Sequence, residues 1–545
     1  MSSATEHAHE FSRLERSSNA LLRSREAVIA YCQEHQIPYA TSADFHDKIF
    51  PNPAVRDDFV RAYYMQPFAP LGLEPGASTI LVFEAKEPPH LNDGVIKYHG
   101  EVASAVAEQI GSSLEPGVDA LYIAANANPN YRKSFQENLG GAVTNLIEDQ
   151  GVPVIIHSLG WSDLELNFDE GRPDQDAHFW RVTAFVVDSA GNGGQFQKHN
   201  IISHAPPLVV HVGAAIWQGH RWCIEGYSSA NSPTFLAPVA ANASIVWRQD
   251  GPLEKITGTS VAGPYSGGVL AALNRRYGAY LTREQILYAV MATCIPITQV
   301  NPFEKHTPKA TTIAYKRNAA GLRYNAEYGG FGLIDPHLAD HVWGHMVALT
   351  QNKPAGITIP TEERVKIVTN GKGKIKGADG LYHYKVRMPA GLCLKTTLEV
   401  EFYDKFGDIQ LQSPSGTKFP MVLSRSVKKG TSFGLSTSHA WTGENLEGTW
   451  PITSTAPIKQ LRLNQHHFMP GDIIHQLDVD ALLTQSVPDL SHAIPMRNFG
   501  PEHSISRILH AQVIEEEFAQ PSIYDGDYTP GNPHRLETTA EFLPR

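Results

Sequence analysis

Cysteine is scarce in this chain, with Cys32, Cys223, Cys294 and Cys393 the only four among 545 residues and no Cys-x-x-Cys spacing among them. That spacing argues against a zinc site, and four cysteines in this length do not demand an oxidising compartment, although they allow two disulfides in three connectivities. No run approaches the roughly 18 apolar residues that a spanning helix requires, so no membrane span is expected. Basic residues are the minority, 45 Lys and Arg against 56 Asp and Glu, for a formal net charge of −11. That balance carries no basic footprint for nucleic acid and reads as solubility. Residues 1–26 are dominated by Ser, His, Glu and Arg and lack the apolar core of a secretory signal. The expectation is a cytoplasmic protein, or one exported without a recognisable signal peptide. No Asp-x-Asp-x-Asp-Gly calcium loop occurs either.

What is present is chemical patterning. Gly258-Thr259-Ser260-Val261-Ala262-Gly263-Pro264 opens a helix whose buried side, Val261, Ala262, Val269, Leu270, Ala272 and Leu273, runs to about Arg276. A serine at a helix N-terminus has backbone N–H groups and the positive end of the helix dipole beside it, and both stabilise a developing oxyanion. The plain alternative is a helix cap. Upstream, the apolar run Ile80-Leu81-Val82-Phe83 reads as a buried strand, and His99-Gly100-Glu101-Val102-Ala103 opens a second small-residue helix. Two more apolar runs end in polar turns: Val154-Ile155-Ile156-His157 before Ser158-Leu159-Gly160, and Ala184-Phe185-Val186-Val187 before Ser189-Ala190-Gly191-Asn192-Gly193-Gly194. A glycine-rich turn is the bland reading of the last.

Taken in order, and with Tyr227-Ser228-Ser229, Ala237-Pro238 and Gly330-Phe331-Gly332-Leu333-Ile334-Asp335, these segments resemble the subtilase family of serine proteases over roughly residues 76–345. The resemblance implies an α/β fold with a subtilisin-like parallel sheet flanked by helices, and a serine endopeptidase that acts on polypeptide substrate through an acyl-enzyme. Ser260 is then the nucleophile, His99 the base and Asn192 the oxyanion donor. Ser158, Leu159, Gly160, Trp161 and Gly191 form the substrate-binding edge. One departure stands out. The family carries an aspartate at the end of the first core strand, where this chain has Glu84, 99 − 84 = 15 residues before His99. Glutamate can fill the same orienting role, and Asp93, in an Asp-Gly turn, is the rival acid. The alternative is a catalytically impaired subtilase serving as a peptide-binding or regulatory scaffold.

Composition shifts at Gln351–Gly356, where alternating strand patterns take over. Leu411 to Thr417, Leu423, Arg425, Trp441, Gly443-Glu444-Asn445 and Gly448-Thr449-Trp450 resemble the P domain that follows the protease in kexin and furin types. That implies a β-sandwich of jelly-roll type. The division expected is an N-terminal extension at 1–75, a pro-region or docking segment; a peptidase domain at 76–348; a P domain at 355–485; and an extended tail at 486–545. A pro-region would be inhibitory, and a partner protein is the other reading of the ends. Gln195-Phe196-Gln197-Lys198 after the glycine loop departs from the acidic group of kexin types, which leaves cleavage specificity open. No cofactor is required for the chemistry, and the resemblance implies calcium only as a structural ion.

Overall fold

The computed structural model describes residues 25–34, 39–50, 53, 56–57, 66–73, 75–85, 99–125, 151–157, 184–192, 194, 208–218, 221–230, 232–239, 258–301, 312–350, 363–368, 377–403, 405–428, 431–468 and 474. Short apolar runs without alternation favour strands buried on both faces. Here they build a nine-stranded sheet from β1 (Tyr39–Ala40), β2 (Thr79–Ala85), β3 (Asp119–Ala125), β4 (Val154–His157), β5 (Phe185–Ser189), β6 (Val209–Gln218), β7 (Arg221–Glu225), β8 (Phe235–Pro238) and β9 (Val300–Asn301). Across the sheet the order is β1-β3-β2-β4-β5-β6-β7-β9, with β8 also on β6. Strands β2 to β6 and β8 are parallel, while β1 and β7 add antiparallel pairs.

Six helices accompany these strands among the described residues: α1 (Arg25–Glu34), α2 (Ser42–Ile49), α3 (His99–Leu114), α4 (Thr259–Tyr277), α5 (Arg283–Ala292) and α6 (Pro336–Thr350). Alternation along the strands decides what each face meets. Ile80, Val82, Val154, Ile156 and Val187 share a core with α3 and α4, whereas Leu81, Phe83, Ile155 and Val186 share one with Val28 and Cys32 of α1. Val261, Val269, Leu270 and Leu273 of α4 are buried, each contributing about 1.5–3 kcal/mol relative to exposure. Residues 39–50 dock on this unit: β1 pairs with β3, and Ser42 donates to Glu108 of α3.

The remaining strands form two antiparallel sheets. One has the order β12 (Glu363–Val368), β20 (Ile458–Phe468), β14 (Leu392–Phe402), β18 (Thr431–Ser438) and β17 (Ser424–Lys428); the other has β13 (Tyr382–Met388), β19 (Gly448–Ser454), β15 (Ile409–Gln412) and β16 (Lys418–Met421). In β13, Tyr384, Val386 and Met388 are buried while His383, Lys385 and Arg387 are exposed, the alternation of a half-buried strand. Trp441 and Trp450 meet edge to face with centroids 5.8 Å apart. Their indole N–H groups donate to the carbonyls of Thr417 and Leu446 at 3.1 and 2.9 Å, as buried indoles require. A hairpin of β10 (Lys316–Arg317) and β11 (Arg323–Tyr324) joins the two units: Asn318 donates to the carbonyls of Ala440 and Thr442, and the Ala319 N–H donates to Glu444.

All four cysteines are buried free thiols, so neither of the two disulfides that the count allows is formed. Burial alone pushes the Cys32 thiol up to about 11. No helix among the described residues is long and apolar enough to cross a membrane. The expected tail at 486–545 lies outside the described residues.

Candidate active site

The chain order reverses at β2, whose neighbours β3 and β4 lead away in opposite directions. In open α/β sheets the crevice beyond the carboxyl ends of the strands at such a reversal is where ligands bind. Four residues singled out from sequence belong to elements that end or begin there. Glu84 is the penultimate residue of β2, in register with Ala124 of β3. Asn192 follows β5, and His99 and Thr259 are the first residues of α3 and α4.

Helix packing sets the relative height of the last two. Both helices run antiparallel to the strands: α3 ends at Leu114, shortly before β3 begins at Asp119, and the Gly76 N–H, just ahead of β2, donates to Arg275 near the end of α4. The helices approach so closely that a Cβ added at Gly268 would lie 2.5 Å from the carbonyl oxygen of Ala107 and 2.9 Å from the nitrogen of Gly111. Gly268 is eight positions after Ser260, and Ala107 is eight after His99. At about 1.5 Å of rise per residue, Ser260 therefore lies about 12 Å, and His99 about 12–18 Å, ahead of the shared contact, at the same end of the helix pair.

Around Ser260 the contacts are specific. The side-chain oxygen of Asn192 accepts from the Thr259 N–H at 2.9 Å and from the Thr259 hydroxyl at 3.0 Å. That hydroxyl in turn accepts from the Gly191 N–H at 3.2 Å, while the Ser189 hydroxyl donates to the Thr259 carbonyl at 2.9 Å. Its oxygen is thus engaged twice, and an amide held by its oxygen keeps its NH2 as the donating group. Thr259 is wholly buried, Ser260 is half-buried and Asn192 is exposed, so the clamp sits under a reachable serine. Gly258 turns the chain into α4 at φ 129°, a conformation that residues with a Cβ rarely adopt. Pro264 has no N–H to offer the Ser260 carbonyl four residues earlier, so the first turn of α4 lacks that helical hydrogen bond.

A turn beyond β7 braces the loop from below. The Ser229 N–H donates to Gly191, the Gly194 N–H to Tyr227 and the Ala230 N–H to Gly194, while the Ala214 N–H donates to the Ser228 hydroxyl. The structure thus brings Ser260, Asn192 and Gly191 into one arrangement and starts α3 with His99 at the same end. Ser158, Leu159, Gly160, Trp161 and Asp93 lie outside the described residues. Thr259 and Ser189 had no role in the sequence reading beyond the motif and loop that contain them. The spacing of about 70 residues between these partners is invisible until the fold closes.

A parallel-dominated sheet, covered by helices and carrying the serine helix at its carboxyl end, defines a subtilase-like α/β fold. The serine protease of Aeromonas sobria in complex with a chaperone has a TM-score of 0.50 and 14% identity, covering 72% of this chain and 88% of that one. The same protease alone scores 0.49 at 15% identity over the same shares, and the protease domain of PatA 0.34 at 17%, over 51% of this chain and 99% of its own. The likeness to the first is one of fold. No protein-family model and no curated protein matches this chain.

Proposed function

We propose that this chain is a serine endopeptidase of the subtilase type. The observation that carries the reading is the Asn192 amide, its oxygen held by the N–H and hydroxyl of Thr259, the residue just before Ser260 at the start of α4. Ser260 attacks the peptide carbonyl, His99 takes its proton and later delivers it to the leaving amine, and Glu84 orients His99. The negative oxygen of the tetrahedral intermediate is held by the Asn192 NH2 and the Ser260 N–H. A neutral amide suits this role because it favours the charge that develops over the uncharged ground state. Water then hydrolyses the acyl-enzyme.

Within this reading Ser158, Leu159, Gly160 and Trp161, which follow β4, pair with an extended substrate as an added strand. The C-terminal sheets are a kexin-like P domain that packs on the peptidase unit without touching the chemistry, and the N-terminal segment is a docking element or an inhibitory pro-region. The chemistry requires no cofactor, and calcium enters this reading only as a structural ion. The departure at Glu84 favours one alternative, an impaired subtilase that binds peptides as a scaffold. Labelling with a fluorophosphonate separates the two. The endopeptidase labels, Ser260→Ala does not, and Glu84→Ala labels more slowly. Folded wild-type protein that stays unlabelled overturns the proposal in favour of the scaffold.

A further inference from the structure

The turn after β18 inserts His439 between the two units. Its imidazole is 1% exposed, with Nδ1 2.9 Å from the carbonyl oxygen of Leu394 in β14 and Nε2 3.1 Å from that of Val209 in β6. A neutral imidazole owns one N–H and donates to one of these carbonyls, whereas an imidazolium donates to both. Against that gain stand, first, the loss of hydration on burying the charge and, second, Lys395, wholly buried on β14, and His211 on β6. The opposing effects win, and the imidazole is pushed down to about 3 from an ordinary 6.5. Other ionisable groups line the same junction. His211 Nδ1 lies 3.5 Å from the Asp188 carboxylate on β5, the Tyr324 phenol of β11 reaches the backbone at His439, and Glu444 accepts from the Ala319 N–H.

We propose that His439 is an acid-labile pin: the C-terminal unit stays docked on β6 only while this imidazole is neutral, and acidification frees β14 from β6. Once the junction opens, the imidazole regains water and titrates near its ordinary value, so the open form binds a proton that the docked form refuses. Docking is at full strength above about pH 6.5 and weakens below it. With one proton taken up on opening, the docked-to-open ratio falls by up to tenfold per pH unit, about 50-fold between pH 6.5 and 4.5. This holds whatever reaction the site carries out.

Amide hydrogen exchange of the full chain, expressed as protection factors, tests it. In wild type, protection of residues 209–212 and 392–396 is expected to fall about tenfold per unit below about pH 6.5, with a flat response in His439→Gln and unchanged protection at residues 269–273 of α4 in both. Wild-type protection at the junction that is constant, or that rises on acidification as two carbonyls holding an imidazolium would produce, overturns the proposal. An equal fall in His439→Gln does so too, by assigning the effect to another group. If His439→Gln does not fold, Glu444→Gln takes its place: a fall that persists there supports His439, and a fall abolished there refutes it.

Discussion

Replacing Gly268 with alanine is expected to damage stability and reactivity together, because this glycine is where α3 and α4 touch. The new Cβ would sit 2.5 Å from the Ala107 carbonyl oxygen, 2.9 Å from the Gly111 nitrogen and 3.0 Å from the Ile110 Cβ. Two of these are backbone atoms that cannot rotate away. Relieving the carbonyl contact to about 3.3 Å, the inner range for carbon against oxygen, moves the helices apart by about 0.8 Å. Overpacking of this kind costs about 1–3 kcal/mol, offset by about 1 kcal/mol because alanine is the better helix former. The net loss is up to about 2 kcal/mol, read as a lower urea midpoint. Since α3 carries His99 and α4 carries Ser260, a displacement near 1 Å lowers fluorophosphonate labelling by about 10²-fold in the proposed triad. Gly267→Ala is the internal control: its Cβ meets the side chain of Ile156, whose far end can shift, so its labelling is expected to fall less. Wild-type midpoint and labelling rate in Gly268→Ala would refute the claim that this contact positions the two helix starts relative to each other.

Two further outcomes follow from named contacts. Thr259→Val removes one of the two donors to the Asn192 oxygen together with the acceptor of the Gly191 N–H, and is expected to slow labelling by at least about threefold to tenfold, the value of one hydrogen bond; Asn192→Ala, which removes the proposed oxyanion donor itself, is expected to cost about 10²–10³-fold. Equal losses in the two variants would show that Thr259 does more than orient the amide. Asp335, 1% exposed, accepts from the N–H groups of His337 and Leu338 at 2.9 and 3.1 Å at the start of α6, and burial raises its carboxyl from 3.8 to about 6. The folded state therefore penalises its charge: the penalty is absent below pH 3.8, grows as the pH rises to about 6 and is constant above. Asp335→Asn keeps an oxygen for the cap, so it is expected to raise the urea midpoint at neutral pH and lose that advantage near pH 4. A variant less stable than wild type at pH 7 would contradict this.

Much of the α/β unit was legible locally. Ile80–Phe83 and Val154–His157 carry no polar alternation, which marks strands covered on both faces, and the small residues after Gly258 and His99 predict helices that the structure starts at Thr259 and His99. In the C-terminal unit, the alternating Leu398–Phe402 became part of β14 and Ile409–Gln412 became β15, but β14 is buried on nearly every residue because β18 and β20 flank it and both its faces are covered. Burial on both faces is a property of neighbours, so that part of the pattern could not be read from one strand.

The sequence by itself determined the element types, the order of the chemically marked segments and the place of Ser260 at a helix start, because periodicity, turn residues and proline act within a few positions of one another. Only the tertiary structure decided that Thr259 would clamp Asn192, that Gly268 would bring α3 and α4 into backbone contact, and that His439 would lie between carbonyls of two different units. Those partners stand tens to hundreds of residues apart, and their contacts exist only after loop closure and core packing have fixed where each backbone runs.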